Sequence, residues 1–517
     1  AIQAALDSGQ NVIVPEGTFR ITNALAPREH QALEINGTIK ISDAQIQALT
    51  ADVPAGQPRV PVKDASGFYP GQWVTLGDEG LRIQGGGKHK VRREGGDCGK
   101  IARIEGNTLV MELNLKRSYT LAGNAKVATQ PSAILITCSN VHIRGRGVID
   151  GNKAGQFNFA PADMTATPRQ SRGEDTRAGC GISVDSNPES ISHISIEGVT
   201  VRNAVLHNIS FFRVKNASIT GVTCMGAYDK NILLRYSEAC RLIGNQCLDS
   251  EFEDGIILYQ GNQHCVVQGN ICTGNARMGI CVNAFQTGIV LSGNICANNR
   301  LNYSIRGNNG SSTGDFSSGS RVNIEGRGNV VTNLVSLGTV LISATDLTFN
   351  GGIIAGEEGK PLEVAMSIAR NGDDRRVAHV DRVQIRNVTF RECQTAVRVS
   401  GVVKDVNILE NRFQSSGPAV FIAEESRGEV FLSGNKGYAT EGAGTAVVSG
   451  GVRKVTVAHG LHVVPKLTDI TVTPTGPLGR ARHFWIGSPT DSGFDILVDA
   501  EPGDAGAPFV WRIAVGQ

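Results

Sequence analysis

Seven ionisable side chains fall at one place in a repeating pattern, and they are the residues of this chain best suited to chemistry. His207 comes first, then Asp229 and Lys230, then Glu251, Glu253 and Asp254, then Arg277, each just ahead of a short β-branched run. With a spacing of 24 residues, Asp229 lies beneath Glu253 and Lys230 beneath Asp254. If successive rows are neighbouring strands, about 4.8 Å apart, two carboxylates can stand at roughly the 5–5.5 Å of a retaining glycosidase, or at 6.5–9.5 Å of an inverting one. Crowding pushes one carboxyl toward its protonated form while its neighbour stays ionised, which gives an acid and a base from like groups. Hydrolysis then assigns the acid to Glu253 and the base or nucleophile to Asp229 or Asp254. β-Elimination beside a uronate needs instead a cation for the carboxylate and a base for the α-proton, and Lys230, Arg277 and His207 supply that set. Plainer roles compete: Asp254-Gly255 is a turn dipeptide, and His207 and Arg277 also suit solvated corners.

Aromatic residues border the same rows. Tyr228, Phe252, Tyr236, Tyr259 and Tyr303, with Arg235 among them, are candidates to stack on or bind sugar rings, some of them to pack instead. No Asp-rich calcium cluster and no CxxC pair occurs, so neither a metal nor a cofactor is expected.

The elements that must hold these side chains are rows of 23 to 25 residues between Ile191 and Gly307. Gly198, Gly221, Gly244, Gly269 and Gly293 align, as do Val201, Cys224, Cys247, Cys272 and Cys296, and Ile209, Ile232, Ile256 and Ile280. Like falling on like at this period marks a stacked solenoid whose rows bury their apolar faces only against one another. The apolar runs are four to six residues, alternate with polar positions and lack helical spacing, so each row is a coil of a parallel β-helix. If the isoleucines point inward, Ser210, Leu233, Ile257 and Cys281 point outward, and an apolar outer face suggests a multimer contact.

Composition agrees and excludes alternatives. Glycine is 63 of 517 residues and aromatics are 5%, which suits short strands and tight corners. A net charge of +2 argues against nucleic acid as a partner, and no run of about 18 apolar residues argues against membrane insertion. The 11 cysteines fall mostly in interior columns, with Cys240 and Cys265 a further stacked pair, so they are expected as buried thiols formed in a reducing cytosol.

In chain order, AIQAALDSG reads as a short helix stopped by glycine, and NVIVPEGTFRI as strand, turn, strand. The run AIQAALDSGQNVIVPEGTFRI resembles the opening of the pectate-lyase-like right-handed β-helix superfamily, where a helix caps the first coil, and VHIRGRGVIDGN resembles a coil of the same superfamily. The period lapses from about Val60 to Gln130, where short strands surround a basic loop (Lys88, His89, Lys90, Arg92, Arg93). A second irregular loop carries Arg169, Arg172, Glu174, Asp175 and Arg177. NNGSSTGDFSSGS reads as a Gly/Ser excursion interrupting the coils, and EGAGTAVVSGG as a linker. The last segment, with HGL, ITVTP, FWI, FDI and FVW, is similar to a small β module at the ends of phage tail fibres and tailspikes.

The resemblance implies an all-β chain: a right-handed parallel β-helix with an N-terminal capping helix, a small inserted β module and a C-terminal antiparallel β-sandwich-like module. The expected boundaries are residues 1–55 for the cap and first coils, 56–130 for the insert, 131–440 for the β-helix and 452–517 for the last module. It implies a bacteriophage tailspike in the virion tail, a homotrimer that depolymerises host surface polysaccharide, either O-antigen (lipopolysaccharide) or capsule. Hydrolysis is the first expectation, with a lyase or a non-catalytic receptor-binding spike as alternatives. Because Ala1 is not an initiator Met, residues ahead of it are expected to reach the phage tail or baseplate. The paired-Asp and Gly-His-Gly pattern of polygalacturonases is missing, so those site residues do not transfer.

Overall fold

The computed structural model describes the chain except residues 79–82, 85–91, 94–96, 157–177, 186–188, 284, 371–379 and 516–517. The side chains of the first basic loop and the charged residues Arg169 to Arg177 lie outside the described residues. The protein is a right-handed parallel β-helix with additional β modules. It divides into two compact units, residues 1–311 with 315–320, and residues 312–314 with 321–517.

In the first unit a helix, Ile2–Asp7, buries Leu6 completely and ends ahead of Gly9, whose φ of +81° lies in the left-handed region. The first coils follow as Val12–Val14 with Thr18–Ile21, then Ala32–Ile35 with Thr38–Ile41. The next coil is His142–Gly145 with Val148–Asp150, which pairs in parallel with Ala32–Ile35 and Thr38–Ile41 on one side. On its other side it pairs with Ser195–Glu197 and Thr200–Arg202. The chain between Ile41 and Ala133 therefore leaves the solenoid and returns to it. It forms a six-stranded antiparallel sheet with its own core of Val60, Val74, Leu76, Ile101, Leu109 and Val127.

From Ile191 onward the predicted columns stack in register. Val201, Cys224, Cys247, Cys272 and Cys296 pair successively and none is exposed. Ile209, Ile232, Ile256 and Ile280 form a second such column, continued by Tyr303. The aligned glycines turn the corners with φ between +61° and +73°, a region costly for residues bearing a Cβ. Beside Gly244, Gly269 and Gly293 runs a polar ladder inside the coils: Asn245, Asn270 and Asn294 each donate to the next side-chain oxygen, ending on Asp315 at 2.9 Å. The same oxygens accept backbone N–H groups from the coil before, so a fully buried corner leaves few backbone groups unsatisfied.

Two expectations about this unit need correction. Ser311–Thr313 and Phe316–Ser318 are strands, and Ile295–Ala297 pairs directly with Phe316–Ser318. The end of the Gly/Ser stretch is thus a coil strand in which Ser317 takes the interior place that Cys296 holds in the coil before. The outer column is also not an open apolar face. Leu233 is 5% exposed and Ile257 and Cys281 are 1%, packed with Met278, Leu301 and Tyr259 within the single chain.

The second unit continues with longer parallel strands, among them Val340–Ala355, Thr389–Ser400 and Val403–Leu409. It ends in two three-stranded antiparallel sheets. One is Glu441–Val448, Ala507–Ala514 and Ile470–Pro474, and the other Lys454–Ala458, Gly493–Val498 and Phe484–Ile486. The stretch expected as a linker is the first of these strands. Its glycines serve packing, since a Cβ on Gly444 would stand 2.8 Å from the Trp511 ring.

Candidate functional site: a stacked ionic cluster

The strands that carry the candidate residues are His207–Phe212, Lys230–Arg235, Ile256–Leu258 and Met278–Val282. Backbone bonds fix the turns ahead of them one above another. Glu253 N–H donates to the Asp229 carbonyl at 3.0 Å, and Arg277 N–H to the Glu253 carbonyl at 2.9 Å. His207 is in register with Lys230. The period alone therefore delivers six ionisable side chains to one corner.

Their pairing is not the vertical one that the spacing suggests. Lys230 Nζ donates to Asp229 Oδ2 at 2.7 Å and also contacts Glu253 Oε2. Arg277 clamps Asp254 with both arms of its fork, Nε to Oδ1 at 2.8 Å and a terminal nitrogen to Oδ2 at 2.7 Å. A further Arg277 nitrogen stands 3.8 Å from Glu253 Oε1. His207 Nδ1 lies 3.8 Å from Asp229 Oδ2. The order is imidazole, carboxylate, ammonium, carboxylate, guanidinium, carboxylate. Asp229, Lys230 and Glu253 side chains are only 6–8% exposed, and Arg277 is the most open member at 29%.

Burial raises the pKa of Asp254 above the usual carboxylate range. Arg277 opposes that shift and the Glu253 charge adds to it. Burial by itself would lower the Arg277 pKa, but Asp254 and Glu253 outweigh it and hold the guanidinium charged. Asp254 is wholly buried with both oxygens taken by Arg277, so the base or nucleophile role expected for it is withdrawn. It positions Arg277. Glu251 also stands apart from the cluster: it is exposed and pairs with Lys153, whose Nζ also reaches the Gly226 carbonyl at 2.6 Å.

Asp229 and Glu253 remain as the carboxylate pair. Because both grip one ammonium, their nearest oxygens are at most about 5 Å apart, the sum of two hydrogen bonds, closer to the retaining than to the inverting spacing. Tyr228 and Phe252, the residues just before each of them, stack with ring centroids 5.7 Å apart and planes 9° from parallel, both half-buried. At the far end of the same strands, Tyr236 is exposed, Tyr259 half-buried, and Arg235 lies against both. Tyr303 does not belong with them. It is 1% exposed and donates its hydroxyl to the Asn294 and Phe316 carbonyls, filling the interior isoleucine column.

The spacing argument missed Lys153, which has no periodic partner, and Gln260, which joins Arg235 and Tyr236. Among the described residues no group of three or more metal-ligating side chains converges, and no helix is long and apolar enough to cross a membrane.

The class these observations define is the parallel β-helix. The tailspike protein gp49 from Pseudomonas phage LKA1 matches 99% of this chain and 91% of its own at 13% identity, with a TM-score of 0.39. The gp54 tailspike of Acinetobacter baumannii bacteriophage AP22, solved with capsular saccharide, matches 99% and 92% at 10% identity and a TM-score of 0.36. Gene product 12 of bacteriophage phi29 superposes better, with a TM-score of 0.58 at 15% identity over 85% of this chain and 54% of that one. At 15% identity the likeness to gene product 12 is one of fold alone. No protein-family model and no curated protein sequence matches the chain.

Proposed function

We propose that this protein is a bacteriophage tailspike that binds a bacterial surface polysaccharide, O-antigen or capsule, and cleaves it by endo-glycosidic hydrolysis, acting outside the cell from the virion tail. The observation that carries the reading is a pair of nearly dry carboxylates, Asp229 and Glu253, that grip one ammonium, that of Lys230. His207 and Arg277 stand 3.8 Å from Asp229 and Glu253 respectively. Crowding two carboxylates in low dielectric favours the protonated form of one of them. A transferable proton beside a second, ionised carboxylate at retaining spacing is what glycoside hydrolysis needs. In this reading Glu253 is the acid and Asp229 the nucleophile. Lys230 and Arg277 set the charge balance, and the Tyr228–Phe252 stack flanks the sugar. The sequence resemblance at the opening, at Val141 to Asn152 and at the C-terminal module supports the tailspike assignment.

The homotrimer implied by that resemblance needs a contact other than Leu233, Ile257 and Cys281, which the single chain already buries. Exposed Ile271, Val290 and Ile295, at 38–41%, offer apolar surface elsewhere on the coils.

The test is to incubate the protein with purified O-antigens and capsules, following polymer size, reducing ends and absorbance of unsaturated uronate. Shortening with new reducing ends and no new absorbance is expected. Asp229→Asn and Glu253→Gln should each lower kcat by about 10²-fold or more in protein that remains folded by circular dichroism. Wild-type rates in both variants would remove the cluster from catalysis. New absorbance would move the reading to elimination with His207, Lys230 and Arg277, and binding without shortening would leave a receptor-binding spike.

A further inference from the structure

At the opposite end of the strands that bear the ionic cluster, one cation is mounted on aromatic rings. The Arg235 guanidinium stands 5.5 Å from the centroid of Phe212, 5.2 Å from Tyr236 and 5.8 Å from Tyr259. Its Nε donates to Gln260 Oε1 at 2.9 Å, and the Tyr236 hydroxyl donates to the same oxygen at 3.1 Å. A second guanidinium, Arg213, lies 5.1 Å from the centroid of Phe212. Among the described residues no carboxylate pairs with Arg235. Arg213, Tyr236 and Gln260 occupy the same corner in three successive coils with φ of +57°, +51° and +57°. Each is a left-handed corner, with Arg213 and Gln260 half-buried. Tyr236 is 43% exposed.

A guanidinium packed among three rings and hydrogen-bonded to one amide has lost much of its freedom before any ligand arrives. Its two remaining arms present the planar fork that matches a carboxylate. The exposed tyrosine face beside it suits the apolar face of a sugar ring. We propose that Arg235, with Arg213, Tyr236 and Gln260, forms a subsite for a carboxylate-bearing sugar, so that the polysaccharide recognised by this protein is acidic. Resting on the polysaccharide reading above, the inference adds the substrate class. Lys230 and Arg235 lie five residues apart on one strand, roughly 17 Å at about 3.3 Å per residue, so the subsite holds a sugar remote from the reacting bond and acts on binding.

The experiment takes whichever purified capsule or O-antigen the wild type binds on an immobilised panel and compares it with the same polymer after its carboxyl groups are reduced to alcohols. Charge-assisted hydrogen bonds of this kind correspond to about 10- to 100-fold in affinity. Wild-type binding should fall by that factor on carboxyl reduction. Arg235→Gln should show the same loss on the native polymer and no further loss on the reduced one, and Arg235→Lys an intermediate loss. A bound polymer without carboxylates, unchanged wild-type affinity after reduction, or additive losses would overturn the inference and leave the polysaccharide reading standing. Binding to no polymer on the panel would overturn both.

Discussion

Removing Arg277 probes the buried ion pairing of the cluster most directly. In Arg277→Met the stem of the side chain is kept and the fork is lost, so Asp254, which is 0% exposed, loses both of the hydrogen bonds that Arg277 donates to it. Breaking a buried pair by removing one member costs about 3–5 kcal/mol, a large share of the roughly 5–15 kcal/mol that holds a domain folded. Adding Asp254→Asn replaces the stranded charge by a neutral amide, whose unsatisfied burial costs about 1–3 kcal/mol. The double variant should therefore regain about 2 kcal/mol over the single one, although it differs more from the wild type. The pH dependence has a definite sign. Asp254 already has a raised pKa in the folded chain, chiefly from burial. A raised carboxyl contributes stability that is fully present below its unfolded value of 3.8 and is lost as pH rises through the folded one. Loss of Arg277 removes a lowering influence and moves that window upward, so the deficit of Arg277→Met should be larger at pH 8 than at pH 5. Urea unfolding followed by circular dichroism at the two pH values measures all three quantities. A single variant within about 1 kcal/mol of wild type at pH 8, or a double variant no better than the single, would refute the account.

Two further predictions concern the coils. Asn270 donates to the Leu242 carbonyl and to Asn294, while its own oxygen takes the Asn245 backbone and side-chain N–H groups. Asn270→Ala strands several buried groups at about 1–3 kcal/mol each, so urea melts should show a loss of roughly 3 kcal/mol or more, and a loss below about 1 would mean the ladder is dispensable. Of the 11 free cysteines only Cys98 and Cys138 are partly exposed, and burial pushes the Cys180 and Cys281 thiols up to about 12 and Cys393 to about 11. Alkylation at pH 8 read by mass spectrometry should modify at most those two before denaturation and all 11 after it, and rapid native labelling in the Cys224–Cys296 column would contradict the register.

The solenoid was legible because each row repeats the constraint of the last. A column such as Val201 to Cys296 can be aligned by eye, and corner glycines with positive φ keep the rows in phase. The ladder one residue further on was equally periodic, since Asn245, Asn270 and Asn294 each follow a column glycine, but asparagine reads as turn chemistry until its interior hydrogen bonds are known. Where composition replaced period, the reading failed. Ser312 and Ser317 look like loop residues and are buried at 3% and 0%, because small side chains satisfy an interior coil position as well as cysteine does. Gly442 and Gly444 look like linker residues and are small only because Trp511 lies across them. Alternation gave the direction of Leu233, Ile257 and Cys281 but carries no information about what covers them.

For the site, spacing located the corner and the stacking but not the ion pairs. A period of 24 sets Lys230 beneath Asp254, yet an ammonium on a four-carbon stem is not bound to the residue directly above it. Lys230 turns to Asp229 beside it and Glu253 diagonally above. Arg277, one row further, is left to take Asp254, and it does so with a planar fork that a lysine lacks. That exchange separates the carboxylates into two kinds. Asp254 is sealed and spends both oxygens on positioning a cation. Asp229 and Glu253 share one ammonium instead. The split follows from side-chain length and donor geometry, which a one-dimensional repeat does not encode, and it is why charge-neutral substitutions should act on stability at Asp254 and on turnover at Asp229 and Glu253.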